Sequence, residues 1–73
     1  MIKEAELLVL IGAKIKEIRL SKSMSQADLA AWCNFEKGNM SRIEAGKSNI
    51  SMRTLYKISR ALGVKMSDIV DVE

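Results

Sequence analysis

Proline and histidine are absent from this 73-residue chain, and cysteine, tryptophan, tyrosine and phenylalanine occur once each. Each scarcity removes a class of protein. A single thiol cannot build an internal disulfide framework, and without imidazoles it cannot complete a four-ligand zinc site, so no metal is expected. Cys33 is read as a small buried apolar residue rather than a reactive thiol. Acid–base work would fall to carboxylates and lysines, none of which forms a recognisable catalytic constellation, so neither enzymatic activity nor a cofactor or small-molecule ligand is expected. The apolar run Leu7 to Ile11 is far too short to span a membrane, and the start Met-Ile-Lys-Glu followed by Glu6 lacks the cleavage signature of a signal peptide. The expected location is the cytoplasm. In that setting the glycosylation triplets Asn39-Met40-Ser41 and Asn49-Ile50-Ser51 are chance matches.

The same scarcities shape the fold. Without proline, with only four glycines and with no sustained strand alternation between turn signals, the chain is expected to be all-α. Its length suits one domain over residues 1–73, near the lower end of what folds alone, and its 48% hydrophobic content suits a compact helical core. The net charge is +3, but its distribution is uneven. Between Lys14 and Arg60 ten basic residues face four acidic ones, a balance of +6, while both ends are acidic. A basic centre is what a polyanion binder needs, although a lysine-rich surface is also simply soluble.

The stretch Ser25 to Gly46, SQADLAAWCNFEKGNMSRIEAG, reads as two short helices joined by a tight turn. Ser25 precedes an apolar helical pattern and Asp28 follows three places on, the spacing of a helix cap. Met24 and Leu29 form a hydrophobic staple, and Leu29, Ala30 and Cys33 share one face, which is expected to be buried. Asn34 tolerates the left-handed backbone of a helix end, so the chain turns there. Phe35 and Met40 repeat the staple for a second helix, with Met40 and Ile43 inward and Lys37, Gly38, Asn39, Ser41 and Arg42 outward or along the rim. Gly46 closes it. Small Ala30 lets the second helix cross close over the first. The outward residues are of types that suit a groove reader: Lys and Arg donate to guanine acceptors, Asn can pair with adenine, and Ser can contact a base or phosphate. Gly38 costs about 1 kcal/mol of helix propensity relative to Ala, which calls for a reason such as close approach to a base or phosphate.

The remaining segments read as support. Leu7, Leu8, Ile11, Ile15 and Ile18 follow helical spacing over residues 7–20 and predict an amphipathic first helix. After a polar loop from Lys47 to Ile50, Ser51 caps a fourth helix with Ile50 and Leu55 as staple, Leu55, Ile58 and Leu62 buried, and Gly63 at its close. A short last helix is expected from Ser67, with Ile69 and Val70 folded onto the core and Asp68 near its N-terminus. Five helices result.

The ordered residues Ile11-Gly12-Ala13-Lys14-Ile15, Ile18-Arg19, Met24-Ser25-Gln26, Leu29-Ala30, Ser41-Arg42-Ile43-Glu44, Gly46-Lys47 and Thr54-Leu55 closely resemble the Cro and phage-repressor (XRE-type) helix-turn-helix regulators. The resemblance covers about residues 11–70, with the helix-turn-helix at about 25–45. It implies a compact five-helix bundle of the phage-repressor type whose third helix enters the major groove of double-stranded DNA, and a homodimer on an inverted-repeat operator. Carried over position by position, it makes Gln26 a phosphate and base-edge contact at a helix N-terminus, where an anion is favoured. It places Lys37 and Gly38 where the recognition helix first meets bases, Asn39 where a phosphate or base is touched, and Arg42 one turn further on. Lys47, Ser48 and the amides near Met52 and Arg53 match the loop that grips the DNA backbone and positions the domain. Arg19 and Glu44 match a partly buried salt bridge between helices one and three.

The chain departs from that pattern at Asn34, which replaces a turn glycine, at Glu36, which replaces a Ser, Thr or Asp cap, and at Ile50, which replaces a proline. Glu36 could cap weakly, accept from a cytosine amino group or point to solvent. Trp32 occupies a position usually polar and exposed; it could cover the N-terminal segment, join a dimer contact or lie near DNA, and packing within the monomer is the expectation taken. Met1 to Leu10 either lengthens helix one or makes a subunit interface, together with Leu62, Val64, Ile69, Val70 and Val72. Two functions follow. The first is a sequence-specific DNA-binding transcriptional regulator of the repressor type; the alternative is a protein-interaction module, such as an antitoxin, using the same helices to hold a protein.

Overall fold

The computed structural model describes residues 1–73. It contains five helices and no strand: α1 (Glu4–Ser21), α2 (Gln26–Cys33), α3 (Lys37–Glu44), α4 (Met52–Leu62) and α5 (Met66–Val70). Eleven buried apolar residues form one cluster to which every helix contributes. Ile15, Leu29, Met40, Ile58, Leu62 and Ile69 are its fully enclosed members. Around them α3 packs between α1 and α2, while α4 rests on α2 and α5 closes the bundle against α1 and α4.

Local chemistry sets where these helices start and stop. The Ser25 hydroxyl accepts from the Asp28 N–H at 2.9 Å and the Asp28 carboxylate accepts from the Ser25 N–H at 3.0 Å, so both exposed donors are satisfied. Those hydrogen bonds hold the Asp28 carboxyl below its ordinary range. Ser51 caps α4 in the same way, accepting from the Thr54 N–H at 3.0 Å. Asn34 adopts the left-handed conformation, φ 60° and ψ 40°, as the turn requires. Gly63 does so after α4.

Several expectations need correction at the ends. The first helix begins at Glu4, nearly a turn earlier than the apolar spacing indicated, so the N-terminal segment extends α1. Leu7 is nevertheless 40% exposed, bordering an open cleft with Met1, Val70 and Val72. The last helix starts at Met66 and not Ser67; the Asp68 carboxylate accepts from the Lys65 N–H at 2.9 Å, fixing the start one residue earlier. Ile69 is enclosed and Met66 packs against the core beside it, while Val70, next to Ile69 on the helix, is 44% exposed. Trp32 does not pack within the monomer: it stands 76% exposed on the outer face of α2.

Two glycines set how closely α1 approaches the end of α3. A Cβ on Gly12 would fall 2.5 Å from the carbonyl oxygens of both Ile43 and Glu44. Gly46 has φ 74°, and a Cβ there would meet the Val9 backbone at 2.6 Å. These neighbours are backbone atoms and cannot rotate aside. The Gly12→Ala variant is therefore expected to lose about 1–3 kcal/mol or more of stability, read as a lower midpoint in urea unfolding followed by circular dichroism. An unchanged midpoint would show that α1 can move off α3 freely.

Candidate nucleic-acid interface

The centre of the interface is held from behind by a buried charge pair. Arg19, on α1, donates through Nε to Glu44 Oε2 at 2.7 Å and through Nη2 to Glu44 Oε1 at 3.0 Å. Both side chains are almost wholly enclosed. The third nitrogen, Nη1, donates to the Met24 carbonyl at 2.7 Å, tying down the chain just before α2. Hydrogen bonding to Glu44 pushes the Arg19 guanidinium above its already high range, against the opposing effect of burial. One cation thus joins α1, the α1–α2 turn and α3. A fork of parallel donors onto one carboxylate fixes direction as well as distance.

Gln26, at the first position of α2, belongs to the same network. Its Nε2 donates to Glu44 Oε1 at 3.0 Å, which leaves one amide hydrogen and the carbonyl oxygen without a partner in the chain. Spacing placed Gln26 at a helix N-terminus but gave no sign that its side chain would be oriented by the buried acid. Glu44 was foreseen only as the partner of Arg19.

The outward side of α3 has a different character. Met40, Ile43 and Glu44 face the bundle, while Lys37, Gly38, Asn39, Ser41 and Arg42 are all exposed. Gly38, Ser41 and Arg42 lie opposite the buried stripe by helical geometry, with Lys37 and Asn39 on its two flanks. Asn39 borders a cleft shared with Ser48, Asn49 and Thr54 and lined at its base by Phe35 and Ile43. A Cβ on Gly38 would meet nothing within 4 Å, so the fold itself does not demand glycine there. Glu36, before the first turn, makes no side-chain cap and is exposed.

Beyond α3 the chain makes a tight, basic turn. The Gly46 N–H donates to the Ile43 carbonyl at 3.1 Å and the Lys47 N–H to the Arg42 carbonyl at 2.9 Å, which locks the turn. Lys47 is exposed and Ser48 half-buried on this turn, and Arg53 is exposed in the first turn of α4, where backbone N–H groups point outward. Lys37, Arg42, Lys47 and Arg53 have no carboxylate within 4 Å; the Arg19–Glu44 pair is the only ion pair in the chain. Burial pushes the Cys33 thiol upward, which keeps it a neutral core residue. No helix is long and apolar enough to cross a membrane.

The buried face of α3 is thus locked by an ion pair, while its open face carries unpaired donors beside an exposed basic turn. The family model described as the Cro/C1-type HTH DNA-binding domain matches residues 14–73. This chain belongs to that family. Among Cro/C1-type relatives, control protein C.BamHI of Bacillus amyloliquefaciens is 47% identical over 64 residues, which is 86% of this chain and 79% of that protein. The crystal structure of the restriction-modification controller C.AhdI from Aeromonas hydrophila superposes with a TM-score of 0.83 at 27% identity, covering 85% of this chain and 94% of that one. The controller C.Esp1396I, solved as a tetramer with its natural 35-base-pair operator, superposes with a TM-score of 0.80 at 34% identity, covering 89% and 86% of the two chains. The protein is accordingly a transcriptional regulator with a helix-turn-helix DNA-binding domain.

The ion pair makes a testable demand on stability. Replacing Arg19 with Met leaves the Glu44 carboxylate buried without its partner, expected to cost about 3–5 kcal/mol. The double variant Arg19→Met, Glu44→Leu should regain much of that loss in the same thermal melts. A single variant that melts like the wild type would remove the pair from its structural role.

Proposed function

We propose that the chain is a sequence-specific regulator that lays α3 in the major groove and reads bases with Lys37, Asn39 and Arg42. The observation that carries this is the split of α3 into a locked inner stripe and an unpaired outer one. Lys37 and Arg42 donate to guanine edges, and Asn39, from the flank, meets an adenine edge or the adjoining phosphate. Ser41 lies between these and contributes a hydroxyl to a base or the backbone. Gln26 uses its remaining amide hydrogen on a phosphate, its other one being held by Glu44. Lys47, Ser48, Arg53 and the first amides of α4 grip the phosphates beyond the groove and set register without reading sequence.

Two copies act together on an inverted repeat, with half-sites about 34 Å apart, one turn of the duplex. Similarity to the control proteins C.BamHI, C.AhdI and C.Esp1396I supports the narrower role of a restriction-modification controller, and the 35-base-pair operator of the last supports the assignment of duplex DNA as partner. Selection from a random duplex pool tests the core of this reading: an enriched inverted repeat is expected, and a pool that stays random overturns it.

Reader and positioner separate by substitution. Arg42→Ala should cost about 1–3 kcal/mol of binding and relax preference at one base position. Lys47→Ala should weaken all sequences alike and reduce the steepness of the salt dependence by about 0.9 in the log–log slope, one phosphate's worth. Binding titrations on matched and mismatched duplexes at several salt concentrations measure both, and the opposite pattern would exchange the two roles.

Gly38 gives a sign split. Open space around it means Gly38→Ala should raise helix stability by up to about 1 kcal/mol. Where DNA approaches closely, the same methyl should lower operator affinity. Thermal melts and binding titrations on one protein sample decide it; a variant that is stabilised and binds as well as the wild type would show that the duplex keeps clear of Gly38.

A further inference from the structure

Trp32, 76% exposed, and Tyr56, 49% exposed, line a groove between the end of α2 and the middle of α4. Asn34, Lys57 and Arg60 complete its polar wall. The two cations are held over rings: Lys57 Nζ lies 5.6 Å from the Phe35 centroid, and the Arg60 guanidinium 5.7 Å from that of Tyr56, whose hydroxyl accepts from Arg60 Nη1 at 3.0 Å. Neither has a carboxylate within 4 Å. Trp, Tyr and Arg are the residue types that most often dominate binding energy at protein interfaces. The groove shares no residue with the proposed DNA-contacting set, which on α2 and α4 lies at the helix starts, Gln26 and Arg53.

The charge of the groove selects its occupant. Two copies meeting groove to groove would set Lys57 and Arg60 against their own duplicates, a like-charge contact that is strongly disfavoured. An acidic segment carrying an exposed apolar side chain fits instead, and the chain has one. Residues 66–73 hold Asp68, Asp71 and Glu73 and no base; Ile69 is enclosed in the chain's own core and Val72 packs against it, so Val70 is the apolar side chain this run leaves exposed. Val70 is 44% exposed, and Asp71 and Glu73 are exposed and in no ion pair. Within one molecule Val70 to Glu73 lie beside Met1 and Leu7 on a surface that shares no residue with the groove.

We propose that the Trp32–Tyr56 groove receives the acidic end Val70–Glu73 of a second copy, with Val70 against the rings and Asp71 and Glu73 facing Lys57 and Arg60. This rests on the two-copy reading above and names its surface. Groove and run are different patches, so a pair closed by a two-fold axis makes the contact twice.

Trp32 is the only tryptophan in the chain, and its fluorescence therefore reports cover of the groove directly. Sedimentation of the full chain, free and on operator duplex, gives the mass at each dilution beside the emission. In the wild type, dissociation on dilution should shift the emission to the red in step with the fall in mass. Arg60→Glu and Asp71→Lys should each weaken association at least about tenfold and leave the emission red at concentrations where the wild type is associated. The double variant Arg60→Glu, Asp71→Lys, or Arg60→Glu with Glu73→Lys, should restore both signals. Circular dichroism should stay unchanged throughout, since all these side chains are exposed. Association that leaves the emission unmoved, or single variants that associate as well as the wild type, overturns this contact while the two-copy reading stands. Failure of both doubles to restore association overturns the assigned pairing. A monomer at every concentration, on DNA as well as off it, overturns both readings.

Discussion

The bundle depends on one buried charge held by three chain segments. With only eleven enclosed apolar side chains, the core of so short a chain has little to spare, and a buried ion pair is not in itself a strong source of stability. What Arg19 and Glu44 supply is geometry. A guanidinium that must satisfy Glu44 and the Met24 carbonyl together accepts very few arrangements of α1, the following turn and α3. Because Glu44 also holds the Gln26 amide, the same constraint reaches the start of α2, where Gln26 is proposed to meet phosphate. The position of the reading helix is thus specified by directional bonds, where apolar packing alone would tolerate some sliding.

Backbone proximity completes that constraint. Gly12 and Gly46 bring α1 against the far end of α3 closely enough that a methyl group would collide with carbonyl oxygens or with Val9. The charge pair fixes the direction of α3, and these contacts fix its depth. Ala30 does comparable work on the α2 side, where a small buried side chain keeps the two helices of the motif close. Meanwhile the outer face of α3 takes part in none of these contacts.

Much of this arrangement was legible in the sequence because it arises from short-range chemistry. Caps at Ser25 and Ser51, left-handed turns at Asn34, Gly46 and Gly63, and the inward residues Leu29, Met40, Ile43, Ile58 and Leu62 follow from spacing alone. The Arg19–Glu44 pair, 25 residues apart, came only through resemblance, because no local pattern links those positions. Where expectation failed, tertiary geometry decided: Trp32 faces water, Val70 is left exposed next to the enclosed Ile69, and Leu7 borders an open cleft. The tie from Gln26 to Glu44 was invisible because an amide at a helix start has several partners available to it, and only the placement of α1 chooses among them. The proposed reading residues are recognisable in the sequence as polar side chains on one helix face; the structure shows them exposed and sets Asn39 beside Ser48 in a shared cleft.

The separation of α3 into two faces has a consequence for divergence. Lys37, Gly38, Asn39, Ser41 and Arg42 can be exchanged without touching Met40, Ile43 or Glu44, so vocabulary and grammar are written on different sides of the same eight residues. A duplicated copy could change that outer surface through a few substitutions and inherit its architecture intact. On the proposed reading, a handful of side chains on that face would be enough to separate one such regulator from another.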